Sequence, residues 1–119
     1  MGSAAQGQLA GAVRAVRTLD CASKLRIHYF AACGVGRSFL AQFPPDLVVV
    51  HAFSKRVQGA RDHFVVDRPD VHISGVIGGN RIVVTFRKTA ATEHDVAAFE
   101  SQLLAAGLGT RIEQISPIG

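Results

Sequence analysis

Leu25-Arg26-Ile27-His28-Tyr29-Phe30-Ala31-Ala32-Cys33, followed at once by Gly34-Val35-Gly36-Arg37-Ser38-Phe39-Leu40, is the stretch on which the fold turns. Leu25, Ile27 and Tyr29 alternate with Arg26, His28 and Phe30, the two-residue period of a strand with one apolar face. Gly34 and Gly36 then permit a tight turn. Phe39, Leu40 and Phe43 recur at helical spacing until Pro44-Pro45, where missing amides and a restricted predecessor must end the helix. The segment reads as a strand that delivers a lone cysteine to the mouth of a helix.

Working outward, Leu47-Val48-Val49-Val50 is a continuous, mostly β-branched run, expected to be a central strand buried on both faces beside a parallel neighbour. Strand, helix and strand in that order predict a right-handed crossover. Phe53 to Arg68 reads as a short helix leading into extended chain. Val71, Ile73 and Ile77 alternate with His72, Ser74 and Val76, and Gly78-Gly79-Asn80 turns the chain into Ile82, Val84 and Phe86, so a β-hairpin is predicted. Thr92 to Asp95 resembles a capping box with Asp in place of Glu. Val96, Phe99, Leu103 and Leu104 form the stripe of the following helix, and Gly107 suits its C-terminal cap. Leu108 to Ile115 is either an edge strand or a tail. At the other end, Ala10 to Arg17 is either a short amphipathic helix or an ordered arm.

With 119 residues, 48% of them apolar, the chain supports one compact domain. Its apolar runs stop far short of the roughly eighteen residues that span a bilayer, so no membrane insertion is expected. Cys21 and Cys33 have neither metal-site nor disulfide-framework spacing, which favours a reducing compartment. The formal charge of +4 is unevenly placed: residues 1–61 hold eight Lys or Arg against two acidic residues, and residues 62–119 hold five against seven. A basic half suits docking on polyphosphate or an acidic protein, because basic side chains gain by releasing condensed counterions. Met1 to Leu19 has Arg14 and Arg17 and no acid, which fits a basic arm or a mitochondrial presequence that stays attached. The expected organisation is therefore a basic N-terminal arm over residues 1–21 and a folded domain over residues 22–119.

Cys33 at a helix mouth, with Arg37 four residues on, has the setting of a reactive thiol, but Gly36 stands where a resolving cysteine would be. Cys33-Gly34-Val35-Gly36-Arg37-Ser38 fails as a phosphatase loop, with three residues between Cys and Arg where five are needed, and lacks the lysine of a Walker loop. Its amides remain suited to an RNA phosphate. Among the five histidines no close ligand pair occurs, although His28, His51 and His72 can neighbour one another across a sheet. Asp67 and Asp70 around Pro69 read as a turn. No catalytic residues, metal, cofactor or small-molecule substrate is expected. The favoured site is a phosphate-contacting set: Arg14, Arg17, Lys24, Arg26, Arg37, Lys55, Arg56 and Arg61.

Lys24-Leu25-Arg26-Ile27 reaching Cys33, Arg37-Ser38-Phe39-Leu40, Pro69-Asp70-Val71-His72-Ile73, Gly78-Gly79-Asn80, Arg81-Ile82-Val83-Val84 and the Phe99/Leu103 helix together carry a family likeness. Over residues 22–106 the chain resembles the thioredoxin-like mitochondrial ribosomal proteins of the large subunit, whose domain is shared with a small accessory subunit of respiratory complex I. The short first helix and the segment Ser54 to Asp67 depart from that pattern. The resemblance implies an α/β fold, a small mixed thioredoxin-like sheet flanked by helices, with Pro69 in the cis form. It further implies a non-enzymatic component of the mitochondrial matrix that contacts ribosomal RNA and neighbouring mitochondrial ribosomal proteins. The alternatives are the complex I subunit and a monothiol redox enzyme using Cys33.

Overall fold

A computed structural model of the chain describes residues 11–19, 24–87 and 93–115. Seven strands form one sheet: β1 Val13–Leu19, β2 Leu25–Phe30, β3 Val48–His51, β4 His63–Asp67, β5 Val71–Val76, β6 Arg81–Phe86 and β7 Ile112–Ile115. Their spatial order is β3-β4-β5-β6-β2-β1-β7, with every neighbouring pair antiparallel except β1 and β7. Two α-helices accompany them, the single turn α1 Arg37–Leu40 and the long α2 Glu93–Ala105.

The alternation of the sequence decides which side of the sheet is covered. Val13 and Ala15, Ile27 and Tyr29, Phe64 and Val66, Val71 and Ile73, and Ile82, Val84 and Phe86 all point to one face and are buried there. Val96, Phe99 and Leu103 of α2 close over them. Phe99 is the centre of this layer, with ring centroids 5.5 Å from Tyr29, 6.4 Å from Phe39 and 6.5 Å from Phe86. Aromatic rings in tilted and edge-on contact add to the area that they bury. The helix then stops as its sequence predicts. Gly107 has φ +78°, its amide bonds the Leu104 carbonyl at 3.0 Å, and Leu108 bonds Leu103 at 3.3 Å, a Schellman closure.

The hairpin β5–β6 forms as expected, with Gly78 at φ +87° in its turn. Leu108 to Ile115 supplies an edge strand, β7. The turn around Pro69 is held by Arg68 bonded to Asp70 at 2.9 and 3.1 Å, and by Arg87 bonded to Asp67.

The thioredoxin-like arrangement, a small sheet flanked by helices, is not what the chain adopts. Among the described residues the covering helices are too few, and the β-α-β unit on which that reading rests does not occur. Between β2 and β3 the chain makes one turn of α-helix before Pro44-Pro45 stops it, too little for a crossover. Consequently β3 does not return beside β2; it lies at the far edge, antiparallel to β4, with Val49 48% and Val50 36% exposed. A short β-branched run looks alike in a buried centre and at an edge, which is why the pattern misleads. Ala10 to Arg17 is likewise not helical where described: Val13 to Leu19 is a strand inside the sheet, paired on both sides. Phe53–Lys55 makes only a 3-10 turn before the extended β4. Among the described residues no peptide bond is cis, Pro69 included. Thr92 and Cys21 lie outside the described residues.

Candidate nucleic-acid interface

Opposite the face under α2, the sheet is uncovered among the described residues, and strand register arranges its side chains in rows. A central row crosses all seven strands: Val49, Val65, Ser74, Val83, His28, Val16 and Ile115. On one side of it run Thr18, Arg26, Thr85, His72 and Asp67, each opposite the next. On the other side Glu113, Arg14, Phe30 and Arg81 stand in sequence on β7, β1, β2 and β6. That second line ends, on β5, β4 and β3, in Val76, His63 and His51.

Phe30 is therefore an exposed aromatic ring placed between two arginines. The strand period puts it outward because its neighbours Tyr29 and Ala31 are buried. Arg14 reaches Glu113 only at 3.8 Å, with 68% of its side chain exposed. Arg81 donates from Nη2 to His28 Nδ1 at 2.9 Å, which requires that nitrogen to be unprotonated. Burial first, and then the Arg81 and Arg26 guanidiniums, hold the His28 imidazole below its ordinary range. A neutral His28 thus orients Arg81 without competing for an anion. Arg26 is steadied by Thr85, Nε to Oγ1 at 3.2 Å.

Clefts open at both ends of this line. One of about 440 Å³ is lined by Arg14, Phe30, Asn80, Arg111 and Glu113 among others. The other, about 520 Å³, is lined by Arg81, Val76, Val83, Ser74, His63, Phe53 and His51. Within the second, Phe53 stacks on His51 at 5.8 Å and meets the edge of His63 at 5.2 Å. Six strands separate Arg14 from His51 inclusively, a track of about 24 Å at the usual strand spacing.

The eight cations expected at the site are divided by the fold. Arg14 and Arg26 occupy the open face. Arg17, three residues from Arg14, has the opposite parity and goes to the helix side, where it grips Glu93 with two bonds of 2.7 and 2.8 Å. Lys24 sits just ahead of β2. Arg37 lines a groove with Val48 and Val50, Lys55 and Arg56 line a cleft with Val50 and His51, and Arg61 reaches toward the β5–β6 turn at Gly79. Arg37 and Lys55 act on the Asp62 carboxylate, which is held below its usual range chiefly by hydrogen bonds from the Ser54 hydroxyl and amide. Arg81, Phe30 and Phe53 are the members that sequence reasoning missed as a site. Phe30 was legible as outward-facing, whereas Arg81 joins it only through a pairing of residues 51 positions apart.

Cys33 lies in the loop ahead of α1, exposed, its Sγ 3.5 Å from the Gly107 carbonyl. Among the described residues, no three His, Cys, Asp or Glu side chains come together as a metal site. Comparison with family models, with curated proteins and with solved structures gives no match.

Proposed function

We propose that the chain is a non-enzymatic RNA-binding component of a ribonucleoprotein particle, with the uncovered sheet face as its platform for single-stranded RNA. The observation that carries this reading is Phe30 between Arg14 and Arg81 in one cross-strand line. An exposed ring offers a stacking surface to a splayed base, and flanking guanidiniums meet the phosphates on either side. A sheet face reads single strands in this way, because a flat surface cannot enter the grooves of a duplex. The track is long enough for a short run, on the order of four nucleotides.

The mitochondrial large ribosomal subunit, in the matrix, is the particle that the basic N-terminal half and the residue patterns of the chain favour. Ribosomal RNA would lie on the platform, and neighbouring ribosomal proteins would meet the helix side. Gradient sedimentation of the tagged protein tests this: it should travel with large-subunit ribosomal RNA and be released by ribonuclease. Retention in respiratory complex I, indifferent to ribonuclease, would instead support the accessory-subunit reading. Ultraviolet crosslinking adds the site, with the RNA adduct expected on the peptide that contains Phe30.

A further inference from the structure

We propose that β3 is the seam of a symmetric dimer, in which the β3 strands of two copies of this chain pair antiparallel and join their sheets into one. Among the described residues nothing pairs with the outer side of β3. An open edge of backbone amides and carbonyls is a template for another strand, and proteins usually blunt it with charge, proline or a bulge. The two edges of this sheet differ in that respect. β7 carries Glu113 and Gln114, whereas β3 is Val48-Val49-Val50-His51. Exposed large apolar side chains gather at the same place: Val49, Val50, Phe53 and Val57. On the helix side of the edge, a groove of about 470 Å³ runs along Val48 and Val50, walled by Leu40, Phe43 and Pro45.

A second copy fits this edge for two reasons. Residues directly opposite in an antiparallel pair share a face, so a two-fold axis normal to the sheet must match odd positions with odd and even with even. The axis through Val49 sets Val49 against its own copy and Val48 against Val50, an apolar match at each of these positions. The same pairing brings the residue that enters β3 in one copy beside those that leave it in the other. Asp46 at the entrance then stands opposite Ala52 of the other copy, with Lys55-Arg56 beginning three residues farther along beside Asp62, so charges of both signs meet near each seam end without facing directly. A self-complementary patch of this kind is what a two-fold interface requires.

The test is sedimentation equilibrium of the ribonuclease-treated full chain over a concentration series, so its outcome is independent of RNA binding. The wild type should shift from one chain mass to two as concentration rises. Val49→Lys places two ammonium groups face to face at the axis and should hold the protein at one chain mass with its circular dichroism unchanged. Ile115→Lys, on the opposite edge, should dimerise like the wild type. Asp46→Lys should weaken association at least tenfold, and Lys55→Asp added to it should restore most of that loss. A wild type that stays monomeric throughout, as a strand reserved for a different protein would leave it, overturns the proposal. So does a Val49→Lys protein that still dimerises.

Discussion

Along β1, Val13, Ala15 and Arg17 turn toward α2 while Arg14, Val16 and Thr18 turn away, and the two faces of the sheet have opposite physics. Under the helix the side chains are apolar and interlocked, and polar groups pair at the rim of that layer. The Tyr29 hydroxyl donates to Glu100 at 3.0 Å and Arg17 closes on Glu93. On the other face the central row is valine-rich and only half-buried, with arginines, histidines and Phe30 ranged beside it. Antiparallel sheets tolerate one wet face, but an ordinary wet face needs no aromatic ring in line with arginines. One face holds the fold together, and the other is left open among the described residues.

The sharpest way to break this division is to cut each face in turn. Phe99→Ala removes the ring at the centre of the covered face and should cost about 3–5 kcal/mol of stability, read from urea unfolding. Any protein that stays folded should bind RNA with unchanged affinity. Phe30→Ala should do the reverse, weakening binding to a single-stranded oligoribonucleotide about tenfold, the worth of one stacked base, while the urea midpoint barely moves. Equal loss of stability in both variants would erase the distinction.

Arg14 and Arg17 refine it further, since they share a strand and a charge. Arg14→Ala should lower the slope of log affinity against log salt by about 0.7, the loss of one phosphate contact on a single strand. Arg17→Ala should leave both slope and affinity alone and change stability little, because its Glu93 partner is exposed and the pair is screened by water.

The smallest effects are in pH. His28 has a folded pKa below its ordinary value, so on acidification the unfolded chain takes up the proton first. Stability should therefore decline as pH falls through about 6.5 toward the lower folded value. His28→Gln should flatten that part of the profile. Tyr29 works in the opposite direction: burial first, then the Glu100 carboxylate, pushes its phenol far above the usual range. Above about pH 10 the unfolded chain alone releases that proton, so stability falls as pH rises. Tyr29 is the chain's only tyrosine, so the phenolate absorbance should appear only together with unfolding.

Much of the covered face was legible in the sequence, because it obeys short-range periods. The alternation in Leu25 to Phe30, the glycine hairpin and the Val96/Phe99/Leu103 stripe are local patterns that burial then confirms. What did not show was the order of strands. Leu47 to Val50 has the composition of a central strand, and only the shortness of α1 before Pro44 sends it to the edge. The open-face site suffers from the same blindness. A count of cations places Arg14 and Arg17 together, although one residue of strand parity separates their fates. Arg81 meets Phe30 through a long-range register that no local spacing encodes.

RNA binding by the uncovered face, as proposed, depends on the line Arg14, Phe30 and Arg81. Fluorescence anisotropy with a labelled single-stranded oligoribonucleotide tests it most directly, comparing the wild type with the Phe30→Ala/Arg81→Ala double variant and with Arg17→Ala. Saturable binding by the wild type and Arg17→Ala, with a loss of about a hundredfold in the double variant, is the predicted result. No binding by the wild type, or the same loss in Arg17→Ala as in the double variant, would contradict it.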